Sequence, residues 1–221
     1  MTDDAADRLL SDAPAPEIEV RESEVIAHGA VWDVRRDRFA FGGTELVRDY
    51  VDHTGVAAVL GIDDEDRVLL LRQYRHPIGA RDWEIVAGLM DVDGESALTG
   101  AQRELAEEAD LAADRWDILA DVCSSPGGSS EAVRIFLARD LRPVAHDYVR
   151  EGEEAEIEVR WVPLDDAVAA ALAGRLQNST TMIAVLTAAA SRAAGWSTLR
   201  PADAPWERRA AVRGERSRTR T

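Results

Sequence analysis

The sequence contains no lysine, so all 26 of its basic residues are arginine. This absence excludes any mechanism that needs a Schiff-base lysine, and it also excludes the lysine of a Walker loop. Cysteine is almost missing as well, because Cys123 is the single one. A lone cysteine cannot form an intramolecular disulfide and leaves no cysteine-based zinc site. Any metal in this protein must therefore be held by ligands other than cysteine.

Long apolar runs are absent from the 221 residues. No segment approaches the roughly 18 uncharged apolar residues that a membrane helix needs, which excludes a transmembrane protein. The first 30 residues carry several acids and no apolar stretch behind a basic start, so we expect no secretory signal. These features predict a cytoplasmic protein without a membrane partner.

Acidic residues outnumber basic ones by 42 to 26, which gives a formal net charge of −16. Such a charge repels nucleic-acid phosphates and anionic lipid alike. The arginine-rich stretch after Glu207 is short and interrupted by acids, so it does not form a clear basic patch. We therefore predict no nucleic-acid partner, and a bound divalent cation would offset part of the acidic charge.

Composition and apolar patterning divide the chain into four parts. Residues 1–16 are acidic and contain proline, which predicts a disordered tail. Residues 17–52 alternate apolar and polar positions around a Gly-Gly pair, which predicts a three-stranded antiparallel β-layer. Residues 53–195 mix strands with helices and form the predicted catalytic domain. Residues 196–221 are rich in proline and arginine and form a predicted C-terminal tail.

The catalytic domain alternates between strand and helix patterns. Two nearly continuous apolar runs around the acidic turn 63–66 predict a buried hairpin or two central strands. Further predicted strands cover residues 116–122, 132–138 and 156–162. Predicted helices cover residues 96–109, 164–172 and 179–194. Because these elements mix without a repeating βαβ period, the pattern predicts an α+β fold or a mixed sandwich.

A cluster of carboxylates stands out on the first predicted helix. Glu104, Glu107 and Glu108 are spaced i, i+3 and i+4, so a helix places all three on one face. Taken alone, such a run is more often a solvated face, because charge runs usually face water. A cation among them would offset their repulsion, and hard oxygen ligands suit Mg²⁺ or Mn²⁺. Arg103 can pair with Glu95 and so tie the preceding glycine-containing loop to the helix.

The order and spacing around this cluster resemble the Nudix signature, G-x5-E-x7-R-E-U-x-E-E-x-G-U, where U is a bulky apolar residue. The matching residues are Gly88, Glu95, Arg103, Glu104, Glu107 and Glu108. Two positions depart from the signature: six residues instead of five separate the first two matches, and Asp110 replaces the second glycine. Asp110 stands at the predicted helix C-terminus, where a left-handed conformation strains a residue other than glycine.

The resemblance implies a Nudix α/β/α sandwich and a hydrolase that cleaves a nucleoside diphosphate linked to another moiety. It implies Glu104 and Glu108 as the principal metal ligands, with Glu107 as an auxiliary ligand and catalytic carboxylate. The carbonyl of Ala87 would be a further ligand. The implied ions are Mg²⁺, with Mn²⁺ as an alternative, and they would bridge the diphosphate and lower the pKa of an attacking water. Glu95 and Arg103 would support the loop and helix of the signature.

Residues outside the signature resemble the ADP-ribose pyrophosphatase branch of the family. Residues 72–79 (RQYRHPIG) and 83–88 (WEIVAG) are similar to the QYR-P and WE-PAG motifs of the branch, with Val86 where proline is usual. Pro126 lies fifteen residues past Leu111, which is a second branch feature. The likeness covers about residues 17–194. It implies hydrolysis of ADP-ribose, an acid anhydride, to AMP and ribose 5-phosphate.

The branch also implies a homodimer and a substrate site. Its N-terminal layer is exchanged or packed across the dimer and contributes to the partner's adenosine pocket. Trp32 is therefore a candidate for stacking on adenine, with packing in its own layer as the alternative. Arg75 and Glu84 are candidates for contacts to phosphate and base, and Gly88 belongs to the same site. For Arg75, a surface ion pair is the alternative.

The implied general base is a glutamate in a loop before a late strand. The segment 151–158 offers several, of which Glu154 is favoured and Glu153 is the close second. Two other functions stay open at this point. The substrate could be another nucleoside diphosphate sugar or a dinucleotide, or the protein could be a non-catalytic module that senses ADP-ribose. The complete set of signature glutamates favours an enzyme over a sensor.

Overall fold

The protein, described by a computed structural model over residues 10–150, 152, 154–207 and 209, divides into two compact units. The first comprises Met1–Val51 with Trp206–Thr221, and the second comprises Asp52–Pro205. Of the predicted tail 1–16, the first nine residues lie outside the described residues. Within the described residues, no helix is long and apolar enough to span a membrane.

The first unit contains a three-stranded sheet in the order β1 (Val20–His28), β2 (Asp33–Phe41) and β3 (Thr44–Asp52). The predicted N-terminal antiparallel layer is therefore confirmed. Gly42 and Gly43 connect β2 to β3 with φ angles of 56° and 80°. Two consecutive left-handed residues give the tight turn that matches the twist of a hairpin, and glycine adopts them without strain.

The second unit contains two sheets. Its strands are β4 (Val56–Gly61), β5 (Arg67–Arg75), β6 (Ala80–Glu84), β7 (Val86–Leu89), β8 (Leu111–Cys123), β9 (Ala132–Pro143), β10 (Glu158–Pro163) and β11 (Arg200–Pro201). The larger sheet has the order β11-β8-β9-β4-β7, and the smaller has the order β10-β5-β6. The pair β4–β9 is parallel, whereas β4 pairs with β7 in antiparallel register.

Three helices cover the sheets: α1 (Ala97–Ala109), α2 (Leu164–Leu172) and α3 (Ser179–Ala193). Successive side chains of a strand point to opposite faces, so β4 can serve two layers. Ala58 and Leu60 join the core that includes residues of α2 and α3. The Cβ of Ala57 instead lies 3.9 Å from the position that a Cβ on Gly100 of α1 would take. The α+β class and the α/β/α layering predicted from sequence are therefore confirmed.

The observed elements extend the predicted ones at several places. The three helices are confirmed to within one residue at each end. Strands β8 and β9 are longer than predicted, and the short strands β7 and β11 were not predicted. In the predicted C-terminal tail, the carbonyl oxygens of Ala204 and Pro205 accept hydrogen bonds of 2.7 and 3.1 Å from Arg134. Residues 196–205 thus belong to the second unit.

Candidate active site

Helix α1 carries the signature glutamates, and its two ends are well defined. The Ser96 Oγ accepts a hydrogen bond of 3.1 Å from the Thr99 amide, an N-cap contact that contributes about 1 kcal/mol. The helix ends at Asp110, which has φ 57° and ψ 31°. The left-handed conformation expected at this position is therefore present. Ala101 and Leu105 are buried against the sheet, so the remaining faces of the helix carry the acids.

Glu104 and Glu108, one helical turn apart, both reach strand β7. The Glu108 carboxylate accepts a hydrogen bond of 3.2 Å from the Ala87 amide, and only 7% of Glu108 is exposed. A Cβ added to Gly88 would lie 1.9 Å from the Glu104 carboxyl carbon. Only glycine leaves room for that carboxylate here. The structure thus brings four sequence-predicted site residues, from a helix and a neighbouring strand, into one place.

Arg103 connects the loop before the helix to the carboxylate cluster. Its guanidinium donates to Glu95 at 3.1 and 3.3 Å, to Glu104 at 2.6 Å and to Glu107 at 3.0 Å. The predicted pairing with Glu95 is therefore confirmed. The hydrogen bond to Glu95, together with the charge of Glu104 and the hydrogen bonds to Glu104 and Glu107, raises the pKa of the Arg103 guanidinium above its ordinary value. One cation thus compensates three partly buried carboxylates.

The donor set beside Gly88 fits a hard divalent cation. Two carboxylates of low exposure approach the same backbone segment, and carboxylate oxygens are the ligands that Mg²⁺ prefers. Among the described residues, however, no three His, Cys, Asp or Glu side chains are grouped so that they could hold a metal together. Arg103 engages both Glu104 and Glu107. A cation bound at this place would compete with Arg103 for the Glu104 carboxylate.

Removal of the Arg103 guanidinium tests this competition. We expect Arg103→Ala to lower the free energy of unfolding by about 1 to 2 kcal/mol in EDTA, because three carboxylates lose their counter-charge. With excess Mg²⁺ the loss should shrink, since the ion supplies positive charge to the same carboxylates. Urea unfolding in EDTA and in excess Mg²⁺ measures the loss of unfolding free energy. Arg142→Ala, which removes an exposed arginine paired with Asp114, is the control. Equal losses with and without Mg²⁺ would contradict the assignment.

Arg75 and Glu84, both predicted to contact substrate, bind each other. The Arg75 guanidinium donates two hydrogen bonds, of 2.9 and 2.6 Å, to the two oxygens of the Glu84 carboxylate. Glu84 is buried, whereas the Arg75 side chain stays partly exposed. The two residues lie on the paired strands β5 and β6. The ion pair considered for Arg75 is thus present, and it holds the guanidinium in a fixed orientation.

Trp32 belongs to the first unit, in the turn between β1 and β2. The Gly29 amide donates a hydrogen bond of 2.9 Å to the Trp32 carbonyl and closes this turn. The residue is 41% exposed, so it is not packed inside its own sheet. This exposure disfavours the packing alternative.

Of the two glutamates considered for the general base, one lies among the described residues and the other does not. Glu153 lies outside the described residues. Glu154 begins the short 3-10 turn Glu154–Glu156, which directly precedes β10. Glu156, at the end of this turn, pairs with Arg81 of β6 at 2.7 Å. The turn is thus fixed to the smaller sheet.

A buried histidine holds the loop that carries Pro126, a contact that sequence reasoning missed. The His53 Nε2 lies 3.3 Å from the Glu131 carboxylate, and the Gly55 amide donates to His53 Nδ1 at 3.0 Å. The His53 amide donates to the Ser130 hydroxyl at 2.9 Å. Residues 53 and 131 are far apart in sequence, so no local pattern could reveal the pair.

Comparisons with known proteins agree with the geometry of this site. The NUDIX domain model matches residues 52–182. The ADP-ribose pyrophosphatase of Mycobacterium tuberculosis is 38% identical over 191 residues, which cover 86% of this chain and 91% of that protein. The ADP-ribose pyrophosphatase of Bacillus subtilis is 35% identical over 127 residues, covering 57% of this chain and 67% of that protein.

A solved structure adds evidence on the fold. A crystal structure of an ADP compounds hydrolase matches with a TM-score of 0.69, covering 84% of this chain and 99% of that chain. The sequence identity of that match is 22%. At this identity the likeness establishes a shared fold.

Proposed function

This chain belongs to the Nudix family of hydrolases, and on that premise we propose that it is an Mg²⁺-dependent ADP-ribose pyrophosphatase of the cytoplasm. Its products would be AMP and ribose 5-phosphate. The observation that carries the proposal is the approach of Glu104 and Glu108 to the Ala87 and Gly88 backbone. The relatives named ADP-ribose pyrophosphatase support the choice of substrate.

In the proposed reaction, the carboxylates of α1 hold the metal. Glu104 and Glu108 are the principal ligands, Glu107 is the auxiliary ligand, and the Ala87 carbonyl completes the protein's donor set. When bound, Mg²⁺ would neutralise charge on the diphosphate and lower the pKa of water. Because Glu104 and Glu108 stand one turn apart on a capped helix, their relative positions are set before substrate arrives.

An acidic side chain of the protein accepts the proton that the attacking water loses. The oxygen of a water molecule attacks one phosphorus, and the bond from that phosphorus to the bridging oxygen breaks. The proton of the water passes to a carboxylate, for which we propose Glu154, with Glu153 as the alternative. The bridging oxygen leaves on the other phosphate, so the two products each carry one phosphate.

We assign one substrate contact to Arg75 and another to Trp32, which the branch likeness directs to the adenosine pocket of a partner copy. Arg75, oriented by its two bonds to Glu84, would bind phosphate, because an aligned guanidinium suits a phosphate's oxygens. Trp32 would stack on adenine, a contact worth about 1 to 3 kcal/mol. Gly88 leaves the room that the Glu104 carboxylate occupies beside β7.

The proposed assembly is a homodimer built through the N-terminal sheet. Several large apolar side chains of this unit are exposed in the single chain: Val20, Ile26, Val31, Trp32, Phe41 and Val47. An apolar surface of this kind marks an interaction site on a protein. A second copy of the chain is the occupant that the branch likeness supports.

Truncation tests the dimer. We expect removal of residues 1–51, the N-terminal part of the first unit, to yield an inactive and monomeric or aggregating core, because the interface and Trp32 are lost together. Sedimentation velocity of the full chain and of the truncated chain measures the state. Glu65→Gln in the full chain, a change in the exposed turn between β4 and β5, should stay dimeric and active. A truncated monomer that hydrolyses ADP-ribose at the full chain's rate would refute the proposal.

A substrate panel tests the proposed activity. The purified chain is incubated with Mg²⁺ and, separately, with ADP-ribose, NADH, ADP-glucose and 8-oxo-dGTP, and products are separated chromatographically. We expect AMP to form fastest from ADP-ribose. Faster cleavage of another compound would leave the proposed hydrolysis in place but would replace ADP-ribose as the proposed substrate. If none of the four compounds is cleaved but ADP-ribose binds in an EDTA-sensitive manner, the protein is a sensor instead.

A further inference from the structure

We propose that Asp110 is a positioning residue that anchors residues 144–150 to the C-terminus of α1 and so helps to position the turn Glu154–Glu156, the described segment that precedes β10. This inference rests on the proposed function, because that segment carries the proposed general base. Asp110 stands where the family signature has glycine, so anchoring by this side chain is a feature of this chain and not of the signature.

Four hydrogen bonds form the anchor. Arg150 Nη2 donates to Asp110 Oδ2 at 2.8 Å, and His146 Nε2 lies 3.0 Å from Asp110 Oδ1. The Val144 amide donates to the Asp110 carbonyl at 3.0 Å. Arg150 Nε donates to the Glu107 carbonyl at 2.7 Å, which satisfies an acceptor that the end of a helix leaves open. One residue at the end of the catalytic helix thus holds three positions of the returning chain.

The conformation of Asp110 indicates that its side chain has a purpose beyond ending the helix. At φ 57° any residue with a Cβ is strained, and glycine would end the helix at lower cost. What glycine lacks is the carboxylate. The two oxygens of that carboxylate are each engaged, one by the Arg150 guanidinium at 2.8 Å and the other by the His146 ring at 3.0 Å.

Stability is a poor explanation of this contact. The Asp110 side chain is 62% exposed, and exposed ion pairs contribute little to folding. The value of the contact therefore lies in orientation. Arg150 leads directly into the acidic segment 151–158, and the far end of that segment is held by the pair of Glu156 with Arg81. In the chain, Glu154 stands between these two attachments, so the position of its backbone depends on both.

The test separates positioning from stability. Asp110→Gly relieves the strained conformation and removes the carboxylate, so we expect an equal or higher melting temperature with a roughly tenfold lower kcat. The KM for ADP-ribose should stay within about twofold, because the proposed substrate contacts lie elsewhere. Asp140→Gly is the matched control, since Asp140 is exposed and has φ 55°, and it should keep the wild-type kcat. A merely structural role would lower stability without this split.

A double variant that combines changes at Asp110 and Arg150 provides a second test. In Arg150→Gln the same anchor is lost, so the double variant with Asp110→Gly should be no slower than Arg150→Gln alone. Independent, multiplying losses would overturn the inference, and so would an Asp110→Gly enzyme with the wild-type kcat. A wild-type chain without turnover on any diphosphate of the panel would instead overturn the proposed function, and this inference with it.

Discussion

Glu108→Gln is expected to lower kcat for ADP-ribose by roughly 1,000-fold, a loss of about 4 kcal/mol of transition-state stabilisation. Glutamine has the size of glutamate, and its carbonyl oxygen can still accept the hydrogen bond from the Ala87 amide. What it lacks is the negative charge that holds a divalent cation. The fold should therefore persist while the metal site fails. Steady-state release of AMP, with circular dichroism to verify the fold, measures both.

Glu65→Gln is the matched control for this variant. Glu65 is an exposed glutamate in the turn between β4 and β5, away from α1, so the same chemical change should leave turnover intact. If Glu108→Gln and the wild-type chain cleave ADP-ribose equally fast, then Glu108 is not a metal ligand. A folded Glu108→Gln variant that still binds ADP-ribose would locate the loss in chemistry rather than in binding.

Gly88→Ala should produce a second large loss, of roughly 100-fold in kcat, with little change in stability. The added Cβ would lie 1.9 Å from the Glu104 carboxyl carbon and 2.4 Å from its Cγ, so the carboxylate must move. The displaced atoms are the far end of a flexible side chain, which can rotate away at small cost to folding. The same movement removes one proposed metal ligand from its place. Melting temperature and kcat, measured on the same preparation, report the two effects.

Gly61→Ala provides the comparison within the same sheet. There a new Cβ would lie 3.4 Å from the nearest atom, Leu141 Cδ1, which is an ordinary contact. Its kcat should match that of the wild-type chain. An active Gly88→Ala enzyme would mean that Glu104 can leave β7 without consequence, and its role as a principal ligand would have to be abandoned.

Features set by local sequence were the predictable part of this protein. The helix α1, its carboxylate face and the left-handed Asp110 follow from side-chain spacing and from the preferences of helix ends, which act over a few residues. The pairing of Arg103 with Glu95 also spans a short segment. Such signals survive in a single sequence because no distant partner is needed to create them.

Contacts between distant residues were the part that the sequence did not reveal. Strands β6 and β7 are short and lack the alternation of a half-buried strand, so their place beside β5 and β4 depends on tertiary pairing. Arg75 and Glu84 are not register partners, since Arg75 lies opposite Ala80 and Glu84 opposite Leu71, so strand pairing alone could not predict their ion pair. Arg150 reaches Asp110 across 40 positions. No periodic pattern connects residues at such separations.

The proposed function depends most on metal-dependent cleavage of one diphosphate, and a single assay measures this directly. ADP-ribose is incubated with the purified full chain in excess Mg²⁺, then with EDTA, then with Mg²⁺ restored, while AMP and ribose 5-phosphate are quantified. We expect equal amounts of the two products, arrest in EDTA and recovery on restoring Mg²⁺. Undiminished release of AMP in EDTA, or products other than these two, would contradict it.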